Sequence, residues 1–332
     1  MADDDTGDQT ATPIGAAVKC TRCTEPAEVK LRAHNSAFCR ECFVFFFQRR
    51  VERAITHEKM FSHDERILVA VSGGKDSLAL WDALVLQGYD TIGFHLALGI
   101  GGYSLRSREK TEKFARDRGL RLEVHALTED GLAVPDVIAS TRRPACSACG
   151  TMKRHHFDRA ALELGCAALA TGHNLDDEAA RLFGNVLHWQ TEYLARQRPV
   201  MQPRHPKFVR KVKPLYLTGE FESATYAFMR GIDYVVEECP NAAGATQLAY
   251  KAVLDDLENR FPGTKLAFVR EFTERASAAF ALPEDRETTA RSCEECGMPS
   301  FGALCSFCSL RAEVERRQAE RAARAGAPAA PA

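Results

Sequence analysis

The chain has 332 residues, 45% hydrophobic and 27% charged, enough for one sizeable core with small satellite modules. A formal net charge of -1 excludes a globally basic nucleic-acid binder, so any RNA footprint has to be local. No apolar run approaches the length of a membrane span, and the acidic opening Met1-Ala2-Asp3-Asp4-Asp5 lacks the order of a signal peptide, which predicts a cytoplasmic protein. In that compartment the 12 cysteines are expected to be reduced ligands rather than disulfides.

Residues 1–16 are small and polar and predict a disordered tail. Residues 17–56 form a first module. Its Cys20-x2-Cys23 and Cys39-x2-Cys42 have the spacing that lets two knuckles converge on one tetrahedral structural Zn2+. The run Phe43-Val44-Phe45-Phe46-Phe47 behind it reads equally as the packed edge of that module or as an interface, and Arg49, Arg50 and Arg53 add local positive charge.

Residues 57–285 are expected to form the main domain. Strand-like runs at 67–71, 91–97, 121–126, 167–170 and 234–236 alternate with helical stretches such as 104–118 and 151–164. That alternation predicts an α/β fold, a parallel sheet with helices on both faces and ligands beyond the carboxyl ends of its strands. Directly after the first run stands Ser72-Gly73-Gly74-Lys75-Asp76-Ser77, followed by a helical stretch over 78–86. A Gly-Gly turn between a buried strand and a helix brings backbone N–H groups and the positive helix end to phosphate oxygens. Its adjacent glycines exclude a Walker A loop, and the segment resembles the PP-loop of the adenine nucleotide alpha-hydrolase superfamily. That resemblance implies ATP, cleaved to AMP and pyrophosphate.

Further along lie Cys146-x2-Cys149 and, ninety residues later, Cys239. Three thiolates suit a 4Fe-4S cluster with one iron left free, but spacing alone leaves redox or persulfide chemistry and a structural zinc open. Cys166, in an apolar stretch, is expected to pack in the core. Arg196, Arg198, Arg204, Lys207, Arg210, Lys211 and Lys213 fall in a stretch free of Asp and Glu, a strip suited to a tRNA backbone. Residues 286–312 repeat the zinc logic with Cys293-x2-Cys296 and Cys305-x2-Cys308, where Gly297 and Gly302 turn the chain. Residues 313–332 read as a fraying helix ending in a flexible tail.

Taken together, the PP-loop, Leu98-Gly99-Ile100-Gly101, Cys146 to Arg154, Gly172-His173-Asn174-Leu175-Asp176-Asp177-Glu178, Cys239-Pro240 and the two outer cysteine sets resemble the tRNA 2-thiouridine synthetases. The likeness covers about residues 17 to 310. It implies an enzyme that adenylates the 2-oxygen of a tRNA uridine with ATP and replaces it by sulfur. Ser72, Gly73, Gly74, Lys75, Asp76 and Ser77 would hold the phosphates, and His95 and Leu96 would line the adenine side. Gly172, Asp176 and Asp177 would complete the site, the carboxylates carrying Mg2+ through water or complementing a helix dipole. Lys153 would stabilise charge at the α-phosphate. Cys146, Cys149 and Cys239 would hold the cluster or, failing it, carry a persulfide, and Arg204, Lys207, Arg210, Lys211 and Lys213 would contact tRNA.

The family also implies a sulfur donor, either a thiocarboxylated ubiquitin-like protein or a simpler sulfide source, and a homodimer. Its members differ in modifying the wobble or the T-loop uridine, and T-loop members can carry His where Cys42 stands here. The rival readings are a PP-loop reductase or sulfurtransferase acting on a small adenylylated sulfur compound, and a zinc-ribbon RNA-binding protein with a vestigial ATP site. Two zinc modules count against the first, and intact Lys75, Asp76, Ser77 and central cysteines against the second.

Overall fold

The computed structural model describes residues 18–242, 244, 246–280 and 291–325, so the tail expected over 1–16 and the end of the C-terminal tail lie outside the described residues. The chain opens with the hairpin β1 (Val29–Leu31) and β2 (Ser36–Phe38), which delivers Cys39 to the start of α1 (Arg40–His57). Helical periodicity divides the phenylalanine run. Phe43 and Phe47 are fully buried and Phe45 is 45% exposed, so the packed-edge reading holds.

The sheet begins with β3 (Ile67–Ala70), which leads through the PP-loop into α2 (Lys75–Leu86) and then β4 (Thr91–Ala97). α3 (Gly101–Arg118) returns the chain to β5 (Leu122–Ala126). Next, α4 (Val134–Ser140) and α5 (Ala145–Glu163) cross to β6 (Ala168–Thr171). Beyond α6 (Leu175–Leu187) and α7 (Thr191–Arg196), the strands β7 (Val200–Met201) and β8 (Arg210–Val212) complete six strands in the order β5-β4-β3-β6-β8-β7. All pair in parallel except β7 with β8. Strand order reverses between β3 and β6, which opens a crevice at their carboxyl ends.

Burial alternates along β3 as a sheet covered on both faces requires. Ile67 and Val69 join α1, α2 and α8 (Glu220–Met229) in one core, while Leu68 joins Ile92, Phe94, Val137 and Met152 in the other. Burying such an aliphatic side chain contributes about 1.5–3 kcal/mol. Cys166 packs in the second core as expected. The buried Asp82 of α2 accepts from Arg118, Arg230 and Tyr226, each at 2.8 Å, and so ties α2 to α3 and α8. An outer layer of α9 (Thr246–Arg260) and α10 (Thr264–Glu274) packs on α6. The short hairpin β9 (Arg291–Ser292) and β10 (Pro299–Ser300) precedes α11 (Ser306–Ala325), which packs on α4 and α5.

Two sequence expectations are corrected. The run 234–236 is no strand: Val235 N–H donates to Gly73 O at 2.9 Å, bracing the PP-loop from outside the sheet. The missing parallel strand is β8, whose Arg-Lys-Val sequence reads as a charge strip rather than as a strand. Residues 306–325 form one continuous helix across the boundary expected at 312, because α11 starts inside the last cysteine pair and its Leu310 and Val314 are fully buried.

Candidate active site

The crevice is a cavity of about 350 Å³ lined by Ser72, Gly74, Asp76 and Ser77, by His95 and Leu96 of β4, by Lys153 of α5, and by Gly172 and Asp177. It therefore joins ten of the twelve residues that the sequence assigns to nucleotide chemistry, once Gly73, whose carbonyl is held by Val235, is counted with its loop. Gly73 has φ +77°, and a Cβ there would stand 2.5 Å from Ser107 O. Ser77 Oγ accepts from Ser72 N–H at 3.1 Å and donates to Gly74 O at 3.0 Å, and Ser107 Oγ donates to Ser72 O. The loop is thus fixed by its own hydroxyls. No side chain caps α2, so its first N–H groups remain available to an anion.

His95 Nδ1 donates to Val71 O at 2.9 Å, which leaves Nε2 as a bare acceptor with no partner among the described residues. Burial lowers its pKa and keeps the imidazole neutral. Such an atom on a cavity wall suits a ligand's N–H or O–H.

A chain of charges runs from the lining residues Asp76 and Asp177 to Lys75, Glu220 and Lys251, which stand outside the cavity lining. Lys75 Nζ lies 2.7 Å from Glu220 Oε1 and 3.3 Å from Asp76 Oδ2, while Lys251 Nζ lies 3.0 Å from Glu220 Oε2 and 2.6 Å from Asp177 Oδ1. Burial raises the Glu220 carboxyl, but Lys75 and Lys251 outweigh it and hold it at about 2. Asn174 caps α6 in a capping box with Asp177 and also donates to Asp76 Oδ1 at 3.0 Å. Burial raises Asp76 against the lowering effect of Lys75 and of the Asn174 hydrogen bond, and the carboxylates of Glu220 and Asp177 add to the rise.

Asp176 and Asp177 part company. Asp176 is outside the cavity lining: it accepts from Glu220 N–H at 2.6 Å at the start of α8 and pairs with Lys265. Adjacent helical residues point about 100° apart, so only one of the two can face the nucleotide.

Lys153 is half-buried and makes no ion pair among the described residues. One helical turn before it stands Cys149, whose thiol is raised by burial, lowered by Lys153 and raised again by Cys239 and Cys146. The three central cysteines are therefore neighbours, and Cys146 Sγ reaches Asn241 O at 3.8 Å. Their sulfurs do not gather within 4.8 Å of one another, as the outer sets do, so the donor set fits a multi-iron cluster better than one tetrahedral ion.

Each outer set, Cys20/Cys23/Cys39/Cys42 and Cys293/Cys296/Cys305/Cys308, brings four sulfurs within 4.8 Å, the closed donor set of a structural metal. Burial opposes ionisation of Cys20, but backbone N–H groups of Cys39, Arg22 and Cys23 bring it down to about 6, whereas Cys42 is pushed up to about 12 by burial and its neighbouring thiols. Cys293 is likewise held at about 6 against its burial by backbone N–H groups.

Residues 19–44 match the family model described as the N-terminal LIM domain of the 2-thiouridine synthetase TtuA, and residues 46–243 match the PP-loop domain. The chain belongs to the tRNA 2-thiouridine synthetases. It is 48% identical over 303 residues to the tRNA-5-methyluridine(54) 2-sulfurtransferase of Thermus thermophilus, covering 91% of this chain and 94% of that one. Its identity to the Pyrococcus horikoshii protein of the same name is 44%, over 88% and 93% of the two chains. Among solved structures it resembles the U34-tRNA thiolase NcsA from Methanococcus maripaludis with its 4Fe-4S cluster, at 27% identity, TM-score 0.73, and 88% and 95% coverage.

In this synthetase the basic strip divides. Arg210 pairs with Glu65, Lys211 with Asp158 at 2.8 Å, and Lys213 with Glu178 at 2.8 Å. Lys213 is 4% exposed and cannot meet an RNA phosphate, which corrects its assignment to tRNA binding. Lys207 donates to Gly297 O at 2.6 Å and so links the strip to the C-terminal module. Arg196, Arg198 and Arg204 remain exposed. Of the other trio, Arg50 turns inward to Leu217 O and Glu222, while Arg49 and Arg53 face outward.

Sequence reasoning missed Glu220, Lys251 and Lys265. Each stands among other charges of its own helix with no motif to single it out, and only the folded network gives it a part.

Proposed function

We propose that this synthetase adenylates the 2-oxygen of uridine 54 of tRNA with ATP and replaces that oxygen by sulfur. The reaction class follows from family membership: the chain is a PP-loop enzyme of tRNA 2-thiolation. The choice of uridine 54 is supported by the gradient of likeness. Relatives named for that position are 48% and 44% identical, against 27% for the U34 thiolase. The observation that carries the reading is the cavity itself, where the phosphate loop faces a helix bearing both Lys153 and two of the central cysteines.

A carbonyl oxygen leaves poorly. Attack of the uracil 2-oxygen on the α-phosphorus breaks the bond to the β-phosphate and releases pyrophosphate. A sulfur nucleophile then adds at C2, the C–O bond breaks, and AMP departs with the original oxygen. The N–H groups of the α2 start would hold the phosphates, with Lys75 beside them but paired to Glu220 and Asp76, and Lys153 would stabilise the charge that develops at the α-phosphate. Asp76 and Asp177, both on the cavity wall, would carry Mg2+ through water, with Asp176 positioning α8 behind them. Cys146, Cys149 and Cys239 would hold a 4Fe-4S cluster, which when bound supplies sulfur from an iron that no protein group ligates. The outer sets would each hold a structural Zn2+. Cys146 is exposed, so the edge it marks is open to the approach of a thiocarboxylated carrier protein or free sulfide.

The experiment is thiolation of transcribed tRNA with ATP and a sulfide source under anaerobic conditions, reading 2-thiouridine and AMP. Substitution of U54 by C is expected to abolish both tRNA-stimulated AMP formation and thiolation. Loss with U34 substituted instead would move the target to the wobble base, and AMP formation indifferent to tRNA would sink the reading.

A further inference from the structure

Away from the nucleotide cavity, three donor groups from separate elements meet beneath the C-terminal cysteine module. His125 lies on the edge strand β5, Asp130 in the turn after it, and His156 on α5. Their ligand atoms all lie within 4.8 Å of one another. His125 Nε2 is 2.7 Å from Asp130 Oδ2, His156 Nε2 is 3.4 Å from the same oxygen, and the two rings lie 4.6 Å apart between centroids.

An ordinary ion pair accounts for His125 with Asp130 but leaves His156 unexplained. Its side chain is 8% exposed, and its Nε2 is buried without a hydrogen-bond partner among the described residues. Two imidazoles and a carboxylate are the donor set of a borderline divalent cation. Ligands held tetrahedrally at zinc's bond lengths stand roughly 3.4 Å apart, the spacing that His156 and Asp130 already have.

We propose that His125, Asp130 and His156 form an additional metal site that takes a divalent transition cation such as Zn2+. His125 and Asp130 are 30% and 28% exposed, which leaves the fourth position to water. The site stands where α5 meets the C-terminal module: Phe307, between Cys305 and Cys308, stacks on His155 at 4.0 Å and meets His156 edge-on at 5.1 Å. A cation there pins β5 and its turn to the helix that carries Cys146, Cys149 and Lys153.

The test is titration of the full chain, purified with its cysteine-bound metals, with Co2+ near neutral pH. One further Co2+ per chain is expected, with the weak visible bands of nitrogen and oxygen ligands and without the intense ultraviolet band of thiolate ligation. That uptake should be lost in both His125→Gln and Asp130→Asn, with retained cysteine-bound zinc showing that each variant is folded. In the wild type alone, the same Co2+ should shift the imidazole proton resonances of two histidines. No such uptake by the wild type, undiminished uptake by the folded variants, or fewer than two shifted histidines would overturn the assignment.

Discussion

Gly172 lies so close to Ser77 that a Cβ added to it would meet the Ser77 amide nitrogen at 2.8 Å. The turn after β6 is thereby pressed against the first turn of α2, and the two halves of the nucleotide crevice keep their separation through backbone contact. Gly172→Ala must push them apart. The expected cost is about 1–3 kcal/mol of stability together with a tenfold or larger rise in KM for ATP. Thermal unfolding and ATP titration check it; an unchanged ATP affinity would show that the contact does not set the crevice.

Lys153 stands in the cavity without a carboxylate partner among the described residues, so its removal breaks no ion pair. Lys153→Ala is expected to lower kcat by about 100- to 1000-fold with little change in Tm. Lys75→Ala differs, because it also frees Glu220 and Asp76, and it should lower both activity and Tm. Equal losses of Tm in the two variants would contradict this division.

Lys213→Ala would leave Glu178 buried without its cation, an expected loss of about 3–5 kcal/mol. Arg198→Glu with Arg204→Glu should leave Tm nearly unchanged while weakening tRNA binding and flattening its salt dependence. Filter binding at two salt concentrations, set beside urea unfolding, distinguishes the two outcomes. A tRNA affinity untouched by the arginine reversals would remove this surface from the RNA footprint.

Burial, then the charges of Lys213 and Arg181, holds His173 at about 4, against about 6.5 for a free imidazole. Between those values the unfolded chain takes up a proton that the folded chain refuses. Its contribution to stability is therefore complete above about pH 6.5 and disappears as pH falls toward 4. His173→Gln should lose less stability than the wild type between pH 7 and 5, measured as the difference between their urea midpoints. Parallel pH curves would contradict the assignment.

Anaerobically purified protein should contain roughly four irons with acid-labile sulfide. Cys146→Ala is expected to lose the iron and keep the zinc of the outer cysteine sets. Zinc without iron in the wild type would leave ATP-dependent tRNA chemistry in place and shift sulfur transfer to a cysteine persulfide.

Local features were the legible ones. The strands at 67–70 and 91–97 and the phosphate turn declare themselves because buried parallel strands are continuous apolar runs and the turn needs its glycines. β8 escaped because its Arg210 and Lys211 balance charges on Glu65 and Asp158, partners that lie 145 and 53 residues away in the chain. The twin aspartates look alike in sequence and are separated only by helical geometry. Glu220 and Lys251 join the site through tertiary contacts that no local pattern announces.

Cys149 and Lys153 are four positions apart on the uninterrupted α5, about 6 Å along its axis. Within the proposed reaction this makes the helix a ruler. Sulfur arrives at one mark and phosphate chemistry occurs at the other, and neither mark slides while α5 stays helical. The uracil ring, whose C2 and O2 are only one bond apart, must then be seated between the two marks, with the groups at each mark reaching in to it. A lesion at the sulfur end that bends α5 should accordingly be felt as poor adenylation before any sulfur is called for.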